Sequence, residues 1–205
     1  MTRHLTLSDI ADLRAYERER EDFRNEVIAL KRRRRISVGT LLTFVFENRE
    51  TIRFQVQEMV RAERMLTDDA VQTELDTYNA LVPEPGQLSA TLFIELTSKD
   101  QLMEWLPKLV GIERSVALEL GEGDGDGRGV EVVMAEPEAD HAAMLTRDEV
   151  TASVHYVRFA LTPHQVERFA SGPVALALHH PAYGERTQLT PDTVAELLTD
   201  LRPDA

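Results

Sequence analysis

Apolar residues recur at helical spacing from Leu7 through Ile10, Leu13, Tyr16, Phe23 and Val27 to Leu30, with Ser8 placed as a start signal. The pattern predicts a long, heavily charged helix over 7–30 that ends at the basic run KRRRR. Residues 36–46 are rich in β-branched and aromatic side chains and predict a strand, followed by a helix over 49–64. Thr67 caps a shorter helix that reaches Asn79 and is stopped by VPEPG. Alternation then predicts a strand over 87–97, an amphipathic helix over 100–110 capped by Ser98 and closed by Gly111, and a strand over 115–120. GEGDGDGRG is a hairpin loop, with residues 130–134 as its returning arm, and an acidic stretch with Pro and Ala occupies 135–149. A strand over 151–161, a helix started by Thr162 and Pro163 and ending near Gly172, a strand over 174–180 and a terminal helix over 191–201 complete the chain. This order describes a single α+β domain over 1–205, with 1–35 its charged N-terminal helix and basic run. N-terminal helices pack there on a mainly antiparallel or mixed sheet of about five to six strands.

One helix is neither cleanly amphipathic nor cleanly exposed. With Ile52 as reference, Val56, Met59 and Val60 fall on one stripe, and Glu63 lies about 20° from Ile52, near the middle of that stripe. A carboxylate there is paired, protonated, bound to a metal or past the edge of the core. Across the helix, Glu50, Phe54, Gln57, Glu58 and Arg61 share a second arc, which predicts contact on all sides. Glu47, Arg49, Glu58, Arg61, Glu63 and Arg64 then form a polar network rather than a solvated coat.

Two strand histidines carry the other candidate chemistry. His155 alternates onto a face with Val157 and Phe159, and His180 onto one with Leu176 and Leu178. Antiparallel pairing of their strands brings them together, and parallel pairing separates them. Glu58, Glu63, His155 and His180 are accordingly the candidate metal ligands, a set that suits iron, manganese or zinc. The loop GEGDGDGRG fails as a calcium site because its twelfth position is Val133, and as a dinucleotide loop because its glycine spacing is wrong. Glu138 and His141 supply only one of the two Glu-x-x-His pairs a di-iron bundle needs. Nothing reads as a hydrolase triad or a Walker motif.

Composition narrows the field. No cysteine is present, which excludes a Cys-ligated cluster, and no apolar stretch approaches a membrane span, so a cytoplasmic protein is expected. The net charge of −13 conceals an asymmetry: residues 1–64 carry 14 basic against 11 acidic side chains, and the remainder 9 against 25. So acidic a body disfavours nucleic acid as partner and leaves Arg32, Arg33, Arg34 and Arg35 as a local basic surface.

The ordered motifs RRRRISVG, FENRETIRFQVQEMVRAER, ELDTYNALVP, LSATLFIEL, VHYVRF and HPAYG span nearly the whole chain. Together they resemble a bacterial family catalogued as domain of unknown function 3501 (DUF3501). The resemblance marks Glu47, Arg49, Gln55, Glu58, Arg61, Glu63, Tyr78, Asn79, Glu95, His180 and Tyr183 as parts of the family pattern. It also implies company with rubrerythrin-like di-iron proteins and iron–sulfur oxidoreductases. The leading expectation is therefore a redox accessory protein whose acidic body or arginine run docks on such partners. A metal- or small-molecule-binding enzyme with a Glu/His/Arg site is the alternative, and a structural domain with a buried polar network is the third.

Overall fold

The computed structural model describes residues 3–122, 129–138 and 150–202. After a 3-10 turn at Leu7–Asp9, helix α1 (Leu13–Arg34) leads into β1 (Arg35–Val38), β2 (Leu42–Glu47), α2 (Arg49–Glu63) and α3 (Asp68–Asn79). Strand β3 (Gln87–Ile94), helix α4 (Lys99–Lys108), a second 3-10 turn (Ile112–Arg114), β4 (Val116–Leu120), β5 (Glu131–Met134) and β6 (Glu136–Pro137) follow. Strand β7 (Val154–Ala160), helix α5 (Pro163–Ser171), β8 (Val174–Leu178), β9 (Arg186–Gln188) and helix α6 (Pro191–Leu201) complete the order. The α+β class holds, and the strands divide between two antiparallel sheets, ordered β1-β2-β3-β7-β6 and β5-β4-β8-β9.

Local chemistry sets most boundaries. Asn48, Thr67, Ser98, Thr162 and Thr190 each accept a backbone N–H at the start of a helix, and Pro163 and Pro191 sit where a missing N–H costs nothing. Two expectations need correction. Helix α1 starts at Leu13 rather than near Ser8, because the Asp12 carboxylate accepts from Arg14 and Ala15 while Thr6 and Asp9 close a separate turn. Residues 36–46 are not one strand but a hairpin, since Gly39, at φ 63°, turns the chain between β1 and β2. The short edge strand β9 gave no sequence signal. Of the acidic stretch 135–149 and the loop 121–129, residues 139–149 and 123–128 lie outside the described residues.

The main core fills the space between the sheets. Phe44, Phe46, Leu88, Leu92, Val157 and Phe159 of the first sheet meet Val116, Leu118, Val174 and Leu176 of the second. The other face of the first sheet presents Thr43, Val45, Glu47, Ser89, Thr91, Phe93, Val154, Tyr156 and Arg158, following the period of two along each strand. A smaller core of Ile52, Val56, Val60, Leu75, Leu81 and Val82 lies under α2 and α3, with Tyr78 and Tyr156 packed against it. Helix α1 runs antiparallel to α2, as Tyr16 and Glu17 meet Glu58 and Arg61 while Phe23 meets Phe54.

Candidate ligand-binding site

Glu47 ends β2 with its side chain on the helix-covered face, and only 6% of the residue is exposed. Its Oε1 accepts from the Thr91 hydroxyl at 2.7 Å. Its Oε2 is buried, lies 4.0 Å from Lys31 Nζ and has no hydrogen-bond partner among the described residues. Glu47 is one of the residues lining a cavity of about 220 Å³, with Lys31, Ile52, Gln55, Tyr78, Leu81, Thr91, Phe93, Val154 and Tyr156. Six elements build it: β2, β3 and β7 give the floor, α1 contributes Lys31, α2 contributes Ile52 and Gln55, and the end of α3 contributes Tyr78. Asn79 fixes that end by accepting from the Leu5 N–H at 2.7 Å and donating to its carbonyl at 2.9 Å. Arg158 donates to the carbonyl of Ala80 and ties the following turn to the sheet. Burial, then the neighbouring Tyr78 and Glu47, pushes the Tyr156 phenol above its ordinary range, so it remains protonated.

The site can accept a hydrogen bond at a buried carboxylate, donate from an ammonium and hold an apolar ring. Larger grooves exist, including one of about 350 Å³ between Leu7, Leu13, Val60 and Leu66. The Glu47 cleft is lined by a side chain with a buried polar atom left without a hydrogen bond among the described residues, a feature that marks ligand sites more specifically than volume does.

The other expected site residues separate. Glu58 lies between α1 and α2, where Arg20 holds both carboxylate oxygens at 2.8 Å and the Tyr16 hydroxyl donates at 2.6 Å. The Arg20 hydrogen bond keeps its carboxyl below the usual range against the opposing effect of burial. Arg61 pairs with Glu17 at 2.6 Å, and Arg49 with Asp9 at 2.6 Å. Glu63 is exposed in the last turn of α2 and Arg64 is the left-handed residue that ends it, so the carboxylate is past the edge of the core. Glu95 is exposed and pairs with Arg35. The Tyr183 hydroxyl donates to Val38 and accepts from Leu41, which makes it a clamp on the β1–β2 hairpin.

The expected metal set is not assembled. His155 lies in β7 of one sheet, whereas the strand expected over 174–180 ends at Leu178 as β8 of the other sheet and His180 lies beyond it, so the two histidines are not on paired strands. His155 Nε2 lies 2.8 Å from Thr151 Oγ1 and 2.9 Å from the Ala152 carbonyl, and its Nδ1 is 4.0 Å from Glu113. His180 Nδ1 accepts from Ala182 and its Nε2 donates to Val110, so both ring nitrogens are engaged. Among the described residues no group of three or more His, Asp and Glu is placed to hold a metal ion. His141 lies outside the described residues.

Of the arginine run only Arg34 turns inward. Arg34 is 0% exposed and binds Glu196 and Asp200 of α6, Arg33 pairs with Glu196 and Arg35 with Glu95, while Arg32 is exposed. Burial pushes the Asp200 carboxyl up, against the pull of Arg34. Of the cleft, sequence reasoning identified Glu47, Tyr78 and Gln55 and missed Thr91, Phe93, Tyr156 and the role of Lys31. Strict alternation on 87–97 and 151–161 puts Thr91, Phe93 and Tyr156 on the face opposite the core, and that was the available signal.

A family model described as "Protein of unknown function (DUF3501)" matches residues 4–201. A crystal structure described as a novel protein of unknown function from Burkholderia pseudomallei is similar at 36% identity. The match covers 96% of this chain and 98% of that one, with a TM-score of 0.85. No curated protein matches. Among the described residues no helix is long and apolar enough to cross a membrane.

Proposed function

We propose that the chain, which belongs to the DUF3501 family, is a binding protein for a small organic molecule held in the Glu47 cleft. The observation that carries this reading is that Glu47 lines the cavity and its buried Oε2 has no hydrogen bond among the described residues. Leaving a buried charged acceptor unsatisfied costs on the order of 1–3 kcal/mol or more, and a bound donor removes that cost. Engineered apolar cavities of about 150 Å³ hold benzene, so a cleft of this volume suits a ligand of roughly nine heavy atoms. An accessory role beside iron-linked redox proteins is compatible with ligand binding. It draws its support from the family resemblance; of the arginine run, Arg34 is buried against Glu196 and Asp200, whereas Arg33 and Arg35 form exposed ion pairs.

The test is ligand-observed NMR of a fragment library against the native chain and a Gln55→Phe variant that narrows the cleft. Fragments that bind the native chain and are lost in the variant support the reading. A library without hits, or hits that the variant leaves unchanged, contradicts it.

A further inference from the structure

The chemistry of the cleft selects among ligand classes. A cation brought to Glu47 Oε2 meets Lys31 Nζ only 4.0 Å from the same oxygen, so two positive groups crowd one carboxylate. An anion attracted by Lys31 faces the Glu47 carboxylate across the same gap. A neutral group with a donor beside an acceptor satisfies both, its N–H toward Glu47 Oε2 and its carbonyl toward Lys31 Nζ. Lys31 is about one-third exposed and has the freedom to swing over such a group. Ile52, Leu81, Phe93 and Val154 wall the remaining space with apolar surface, and Tyr78 and Tyr156 add aromatic surface with a phenol at its end. Gln55 supplies an amide that matches a second donor–acceptor edge.

We propose that the cleft binds a neutral planar heterocycle carrying a cis-lactam edge, of the size of an oxopyrimidine, with its N–H on Glu47 and its carbonyl on Lys31. The proposal rests on the small-molecule reading of the same cleft and names its ligand class. The aromatic ring occupies the space between Phe93 and the tyrosines, and ring substituents contact Ile52 and Val154.

The experiment compares thymine, of about the size the cleft admits, with its 1,3-dimethyl derivative, which has the same ring and no N–H. Binding to the full chain is measured by ligand-observed NMR titration, with benzylamine and glycine as cationic and zwitterionic controls. Thymine is expected to bind, with affinity at least about tenfold weaker for the dimethyl compound, because a hydrogen bond to a charged acceptor is lost. Glu47→Met and Lys31→Met are each expected to weaken thymine by a similar factor. Lys31→Met keeps the buried carboxylate and is a second route if Glu47→Met folds poorly. Equal binding of both pyrimidines, or preference for benzylamine or glycine, overturns the lactam assignment and leaves the cleft as a ligand site. Failure of thymine while other fragments compete in the cleft also overturns the ligand class alone. Failure of every fragment overturns the small-molecule reading with it.

Discussion

His155 shows what burial does to one titratable side chain. Burial lowers its pKa, and Glu113, 4.0 Å away, opposes the shift without reversing it. The unfolded chain, with an ordinary histidine value of about 6.5, therefore takes up a proton before the folded chain does. Stability from this group is present above that pH and is lost as the pH falls toward the lower folded value. Denaturant titrations at about pH 7.5 and 5.5 are expected to show a larger loss in the native chain than in His155→Gln. Equal losses in the two proteins contradict this account. The sequence placed His155 on the apolar face, and there it is. It did not supply Glu113, because a partner from another element leaves no trace in local periodicity.

At the scale of elements, the β1–β2 hairpin hangs on Tyr183. Its hydroxyl satisfies both Leu41 N–H and Val38 C=O, and a Cβ at Gly39 would collide with that same hydroxyl. Tyr183→Phe is expected to cost about 1–3 kcal/mol by leaving both backbone groups unsatisfied. Gly39→Ala adds strain at positive φ to the collision. Combined, the two substitutions are expected to cost less than their sum by at least about 0.5 kcal/mol, since the first removes the atom the second strikes. Strict additivity in a double-mutant cycle contradicts the clamp. The hairpin was not legible because Leu41 and Leu42 continue the apolar run through the turn. The caps at Thr67, Ser98 and Thr162 were legible because each acts within three residues.

Across the described residues, polar groups from distant parts of the chain gather at buried centres, and those of Arg34 and Glu47 differ in character. Arg34 is closed off by Glu196 and Asp200 and fixes α1 against α6, a centre with no unsatisfied oxygen. Glu47, which lines a cavity, has one oxygen engaged by Thr91 and the other without a hydrogen bond among the described residues. The resemblance brought Glu47, Gln55 and Tyr78 forward, whereas Thr91 and Tyr156 were hidden because a polar residue on alternate strand positions normally faces water. Both sheets and their separation depend on long-range pairing, which also explains why the two histidine strands could not be placed relative to each other. The most direct test of the ligand site is a crystal structure of the full chain soaked with the fragments that bind in solution. The account predicts density in the cleft with a donor at hydrogen-bond distance from Glu47 Oε2. Fragments found only elsewhere on the surface, with Glu47 unchanged, would contradict it.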